Sequence, residues 1–381
     1  MSMYKRAILI NQVTGPLFID IANEYAKKYE EVYLITGSVE ATYAELDKRI
    51  HLVKKIKYSR KKSVFRILTW LLFFIQSYFY LFSVRRKEAK ILLVSNPPLL
   101  PFLASVFSKK KNFNFGILIY DVYPDALVNF GYIKTGSKFF NFWEKLNINS
   151  YKSAKEIITI SEVMKKAIAR TVDILKIRVI YPWVDTSFIK PIKKEENWFV
   201  KEHGLLNKKI VLYSGNMGLT HDLITVLKVA KELDGKNNEL QFVFIGDGVQ
   251  KEKLMSFSKK YTLTNVLFLP YQDAEVLPYS FPSADFGIVS LGRGAEGLSV
   301  PSKTFYLLAA GAAIIAISEV GSEIELLINK NNCGISVEPN KTIELSSFLT
   351  SIDDKKLEEY KINSRKLIQN FTVKNVKQFL N

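Results

Sequence analysis

Short apolar runs rich in Val, Ile, Leu and Phe alternate with helix-patterned stretches along this chain, and the alternation is gone through twice. A run of four to six such residues is too short for a buried helix but suits a strand covered on both faces. Strands separated by helical stretches pair in parallel through crossover connections. The first series comprises Arg6–Ile10, Val32–Thr36, Lys90–Ser95, Phe115–Tyr120, Glu156–Ile160 and Arg178–Tyr181, with a helix over Ile19–Tyr29 after the turn at Thr14-Gly15-Pro16. The second comprises Lys209–Ser214, Gln241–Gly246, Asn265–Leu269, Asp285–Ser290 and Ala313–Ile317. Two Rossmann-like α/β domains follow, and 381 residues suffice for two separate cores. Pro191 and the charged run 193–196 interrupt the pattern. That predicts a first domain over 1–187, a linker over 188–207, a second domain over 208–360 and a terminal segment over 361–381.

Charge divides along the same line. Residues 1–190 hold 31 Lys and Arg against 15 Asp and Glu, whereas residues 191–381 hold 23 against 22. The basic half calls for a polyanionic partner, such as an acidic membrane surface, a lipid phosphate or nucleic acid. One cysteine, Cys333, excludes a disulfide framework and a Cys-rich metal site, and His51, His203 and His221 are too scattered for a histidine cluster. No metal or other cofactor is expected. The N-terminus is basic but has no sustained apolar core before Asn11 and Gln12, which predicts no cleaved signal and a cytoplasmic chain.

Val64–Ser83 is the longest apolar stretch, yet its uninterrupted core, Trp70–Ile75, is far below the roughly 18 residues of a membrane span. On a helical wheel Arg66, Thr69, Gln76, Ser77 and Ser83 share an arc of about 120°, and the rest is apolar. Arg60, Lys61 and Lys62 precede it and Arg85 and Arg86 follow it. Two readings stay open. One is a crossover helix buried against the sheet. The other is a helix lying on an anionic lipid surface, with Trp70, Phe73 and Phe74 facing the membrane between the basic clusters. Phe139, Phe140, Phe142 and Trp143 either extend that surface or belong to the core. A nucleic-acid partner fits less well, because the cations surround an apolar helix and not a groove of stacking aromatics.

The densest chemical signal is Asp285–Ile317. A strand ends at Ser290, a loop with Gly292, Gly294 and Gly297 follows, and a helix is predicted to open at Ser299-Val300-Pro301 and to stop at Gly311. Such a loop lets backbone amides approach a ligand closely, and the free N–H groups of a helix start favour an anion such as a pyrophosphate. Lys303 adds a point charge. Glu296 suits accepting hydrogen bonds from sugar hydroxyls. At the ends of other strands, Gly15, Gly215, Gly246 and Tyr271 lie where open α/β sheets bind ligands.

These residues resemble the donor-binding domain of family 4 glycosyltransferases, retaining enzymes of the GT-B fold, and in particular their bacterial surface-polysaccharide members. The resemblance rests on 299–303 with Ala309-Ala310-Gly311, on 212–218, on Phe244-Ile245-Gly246-Asp247-Gly248 and on Pro282-Ser283-Ala284-Asp285. In the first half it rests on Tyr120-Asp121-Val122-Tyr123-Pro124-Asp125 and on Tyr181-Pro182-Trp183-Val184-Asp185, and near the end on Asn370-Phe371-Thr372. It implies two Rossmann-like domains facing each other across a cleft, with a C-terminal helix crossing back to the first.

By the same resemblance Glu296 holds donor-sugar hydroxyls, Gly297, Leu298 and Ser299 present amides to the diphosphate, and Gly15 faces it. The family's second acid is absent, its place falling at Thr304 or Tyr306. Its two usual phosphate cations fall at Asn216 and His221. Lys303, Arg293 or His221 must then neutralise the diphosphate, with Lys303 favoured. Tyr120 stands where the family has a histidine, which leaves Asp121 as the nearest group able to accept a proton.

The implied activity is metal-independent, hexosyltransferase-type transfer with retention, from a nucleotide-sugar (a UDP-sugar) to a polyprenyl-diphosphate-linked saccharide. The implied context is O-antigen, lipopolysaccharide, capsule or exopolysaccharide synthesis by a peripheral enzyme of the inner membrane. The alternative is a nucleotide-sugar epimerase or hydrolase of the same fold, for which a basic half and a wide apolar helix have no use.

Overall fold

The computed structural model describes residues 5–59, 63–84, 89–111, 114–129, 131–292, 294 and 300–380. The chain divides into two units. The first runs to Pro182 and takes back the segment from Val373 on; the second lies within Trp183–Thr372.

In the first unit β1 (Arg6–Ile10), β2 (Glu31–Thr36), β3 (Ile50–Lys54), β4 (Ala89–Val94), β5 (Phe115–Ile119), β6 (Glu156–Thr159) and β7 (Ile177–Val179) form one parallel sheet in the order β3-β2-β1-β4-β5-β6-β7. Ile8 lies beside Tyr33 on one side and Ile91 on the other, the in-register pairing of a doubly wound sheet. Every residue of β5 is buried, as continuous apolar strands require when helices cover both faces. β3 is absent from the sequence expectation because only Ile50 of its five residues is buried, the exposure of an edge strand. α1 (Pro16–Lys28) starts three residues before the predicted helix, with Pro16 in its first turn, where a missing N–H costs nothing.

The second unit repeats the plan. β8 (Lys209–Ser214), β9 (Leu240–Ile245), β10 (Val266–Leu269), β11 (Phe286–Ser290), β12 (Ala313–Ile317) and β13 (Gly334–Val337) run parallel in the order β10-β9-β8-β11-β12-β13. Strand order reverses between β8 and β11, so the carboxyl ends of those two strands are the switch point where ligands of such sheets bind. Asp285, entering β11, is buried, accepts from the Ile210 N–H at 2.8 Å and pairs with Lys194 at 2.5 Å and Lys361 at 2.8 Å. Burial pushes its carboxyl up, but the two ammonium groups prevail and hold it below the ordinary carboxylate range.

The return falls later than the sequence suggests. The helix Asp354–Leu367 stays in the second unit, where Ser364 donates to the Ala312 carbonyl at 2.7 Å. Phe371 accepts from the Val184 N–H at 3.1 Å, and only the 3-10 turns of Val373–Leu380 rejoin the first unit. There the Phe379 carbonyl accepts from the Tyr25 hydroxyl at 3.4 Å.

Candidate functional site

The loops after β8 and β9 touch backbone to backbone, and three glycines make that possible. Gly215, Gly246 and Gly248 all have φ near +140°, a region closed to most side chains. A Cβ on Gly246 would stand 2.0 Å from the Gly215 carbonyl oxygen, and one on Gly248 would stand 2.6 Å from that of Met217. Gln250 then ties the 216–221 loop to the next helix, donating to the Gly218 carbonyl and, at 2.9 Å, to that of His221. Asn216 is exposed at the turn of this loop.

Against the loops stands Lys303. The helix it belongs to, Lys303–Ala310, opens at Lys303 itself, two residues after Pro301, with Ser302 as its cap and Gly311 as its left-handed stop at φ 78°. The Lys303 ammonium lies 3.7 Å from the centre of the Tyr213 ring. It is shut off from solvent and has no hydrogen-bond partner among the described residues. A Cβ on Gly215 would come within 3.1 Å of it, so the glycine also makes room for the cation. Burial pushes the Lys303 ammonium down to about 7. The Tyr213 hydroxyl donates to the Asn216 carbonyl at 2.5 Å and so fixes both the ring beneath the cation and the loop beside it.

His221 is the second cation candidate, and the structure removes it from that role. Its Nδ1 lies 2.7 Å from the Ser290 carbonyl, which can only accept, so Nδ1 carries the proton and Nε2 is left as an acceptor. Burial, with the Lys303 charge adding to it and the Ser290 bond opposing, pushes the ring down to about 4. At neutral pH His221 is uncharged and joins the β8 loop to the end of β11.

Tyr271 stands half exposed after β10. Tyr306 packs its ring on Phe281, with centroids 5.2 Å apart, in place of the acid expected of the family. Arg293, Glu296, Gly297, Leu298 and Ser299 lie outside the described residues, as do Arg60, Lys61, Lys62, Arg85 and Arg86. Sequence reasoning passed over Tyr213, Gln250 and Ser290. A tyrosine closing an apolar strand reads as core, and only the cation above its ring shows otherwise.

In the first unit Gly15 caps α1, and a Cβ there would meet nothing, so its own unit does not demand a glycine. Asp121 follows β5, and burial pushes its carboxyl up to about 6. Burial also pushes the Tyr123 hydroxyl up, with Asp121 and Tyr58 adding and Arg66 opposing, so an acid and a cation both act on one phenol. The Tyr123 ring stacks on Trp143, and Asn147 donates to its carbonyl at 2.6 Å.

The apolar stretch forms a helix over Ser63–Ser83, and its polar arc turns inward. Gln12 donates to the Thr69 carbonyl at 3.0 Å, Thr69 accepts from the Ser59 N–H at 3.2 Å, and Gln76 accepts from the Ile56 N–H at 2.9 Å. Phe73, Ser77 and Leu81 are fully buried. Phe73 therefore does not face a membrane, and Trp70 and Phe74 are half-buried, with Trp70 stacked on Tyr58. Phe65, Ile67, Leu71, Ile75, Phe79 and Phe82 are exposed instead. Of the aromatic cluster that follows, Phe140 and Trp143 are core whereas Phe139 and Phe142 are exposed.

Two doubly wound parallel sheets, with glycine-built loops at the switch point of the second, define the GT-B class. Residues 194–367 match the family model of Glycosyl transferases group 1. The chain is 25% identical over 279 residues to the probable glycosyltransferase WbjE of Pseudomonas aeruginosa, covering 72% of this chain and 69% of that one. Among solved structures it is similar to the sucrose-phosphate synthase of Thermosynechococcus elongatus, at a TM-score of 0.76 and 14% identity over 99% of this chain and 97% of that one. It is also similar to Anabaena HepE in complex with UDP-glucose, at 0.72 and 13% over 98% of each. A third is WaaG, a glycosyltransferase involved in lipopolysaccharide biosynthesis, at 0.67 and 13% over 98% of each. The protein is a glycosyltransferase of the GT-B fold, and its second unit carries the group 1 domain.

Proposed function

We propose that this glycosyltransferase moves a sugar, with retention and without a metal, from a UDP-sugar to a polyprenyl-diphosphate-linked saccharide at an anionic inner-membrane surface, in the making of a bacterial surface polysaccharide. The observation that carries the donor half is the buried Lys303 ammonium, which has no counter-ion among the described residues beside a wall of glycine backbone. A diphosphate supplies the missing charge. When the glycosidic bond to the donor breaks, negative charge grows on the departing phosphate, and a cation already fixed above Tyr213 stabilises it without reorganising. Neutral His221 offers Nε2 to a hydroxyl of the donor. Asp121, raised to about 6, is the group of the first unit suited to taking the acceptor's proton. Glu296 is assigned to the donor-sugar hydroxyls by the family resemblance.

The UDP base is supported by the complexes of HepE with UDP-glucose, and the polysaccharide role by WaaG. The membrane surface is supported by the outward apolar face of the Ser63–Ser83 helix within the basic half of the chain. The test is transfer by the purified chain from UDP-, GDP- and ADP-sugars to a lipid-linked saccharide in vesicles with and without anionic lipid. Transfer from a UDP-sugar that needs the anionic vesicles is expected. Hydrolysis of the donor with no transfer, or transfer indifferent to lipid charge, overturns it.

A further inference from the structure

Arg66 is unlike the other half-buried arginines of the first unit. Arg6 holds Glu31 at 2.7 Å and Arg178 holds Glu156 at 3.1 Å. Arg66 has no carboxylate within salt-bridge distance among the described residues. Its Nε donates to the Tyr58 hydroxyl at 2.9 Å, and its guanidinium carbon lies 5.9 Å from the Trp70 ring centre. Among the described residues neither Nη group has an acceptor. One turn on, the Trp70 indole N–H is buried and also without a partner among the described residues. Positions four apart share a helix face, which puts the two sets of donors on the same side of the helix. A guanidinium fixed at Nε by Tyr58, which is itself stacked on Trp70, keeps its two Nη groups for two-pronged binding of a phosphate. The same helix exposes Ile67, Leu71 and Ile75 on its outer face, so the cation sits where an apolar surface meets the polar edge of the unit.

We infer that Arg66, with the Trp70 indole N–H, binds the diphosphate of the lipid-linked acceptor, while the isoprenoid chain runs along the exposed apolar face of this helix. The inference rests on the acceptor class proposed above. Tyr58 is a positioning residue in it, and Asp121, which acts on the same Tyr123 phenol, is left free for the saccharide.

The experiment is calorimetric binding to the full chain saturated with UDP, so that the donor pocket is filled. The probes are farnesyl diphosphate, farnesol and inorganic pyrophosphate. Farnesyl diphosphate is expected to bind at least about tenfold more tightly than either of the others, Arg66→Gln to lose about tenfold for it, and farnesol to bind both proteins alike. Equal binding by Arg66→Gln and the wild type overturns the assignment. Pyrophosphate binding as tightly as farnesyl diphosphate shows a site for a free anion, and overturns it as well. Should Arg66→Gln not fold, phenylglyoxal labelling of wild-type Arg66 gives the answer: farnesyl diphosphate should slow it and farnesol should not, and equal labelling overturns the site. Failure of the acceptor reading looks different, since wild type would bind farnesyl diphosphate through Arg66 yet transfer no sugar to a lipid-linked saccharide. Transfer with an unchanged acceptor KM in Arg66→Gln would do the reverse.

Discussion

The surroundings of Lys303 in the second unit and the apolar helix of the first break the usual arrangement of a folded chain in opposite directions. Around Lys303 a charge is buried with no counter-ion among the described residues; on the helix, ten large apolar side chains from Val64 to Phe82 are exposed. Each arrangement costs stability in the isolated protein, and each is of the kind that a bound partner relieves. The contrast teaches that hydropathy alone misplaces both. Lys303 sits on a helix start that reads as surface, and Phe73 sits on a helix that reads as apolar nearly all round.

The sharpest way to break this comparison is to truncate the two faces of the helix separately. Phe73 is fully buried, so Phe73→Ala should cost about 3–5 kcal/mol. Phe79 is 65% exposed, so Phe79→Ala should stay within about 0.5 kcal/mol. Chemical denaturation measures both, and similar losses would mean that the helix is not turned as described.

At the pocket, Lys303→Met should lower transfer by a factor of ~10² or more, the scale of removing one preorganised donor to a developing anion. Its melting temperature should not fall, because the change removes a buried charge that has no partner. Wild-type turnover in this variant would reject the role of Lys303.

A smaller effect comes with pH. The ammonium is charged below about 7 and loses its proton above it in the unliganded pocket. A UDP-sugar carries a diphosphate diester whose charge is constant in this range, so above that point its binding must draw a proton from solution. Affinity should fall by up to about tenfold per pH unit above 7, and calorimetry in buffers of different ionisation enthalpy should register proton uptake. The same depressed value means that the unfolded chain holds this proton more tightly, so the group's contribution to stability rises between about pH 7 and 10. The smallest change expected is a partial release from anionic vesicles on raising salt, since screening weakens the lysine contacts but leaves the apolar face in place.

The strands were legible because both faces of these sheets are covered and a run of buried residues needs no pattern to be recognised. Arg6–Ile10, Lys209–Ser214 and Ala313–Ile317 coincide with the predicted spans. Ile50–Lys54 and Gly334–Val337 escaped, the first because an edge strand exposes most of its residues and the second because two of its four residues are Gly and Ser. The glycines at 215 and 246 and the cation at 303 were legible as types suited to an anion. What makes His221 uncharged was not, because the burial and the Lys303 charge that push its ring down arise only in the folded chain.

By itself the sequence determined two parallel sheets, a basic first half and the glycines at the strand ends of the second, since each depends on residue type and local spacing alone. Tertiary structure decided which way the apolar helix turns and which cations go unpaired. Both outcomes depend on groups remote in sequence: the Gln12 amide and the Ile56 N–H draw the polar arc of the helix inward, and no carboxylate reaches Arg66 or Lys303 among the described residues.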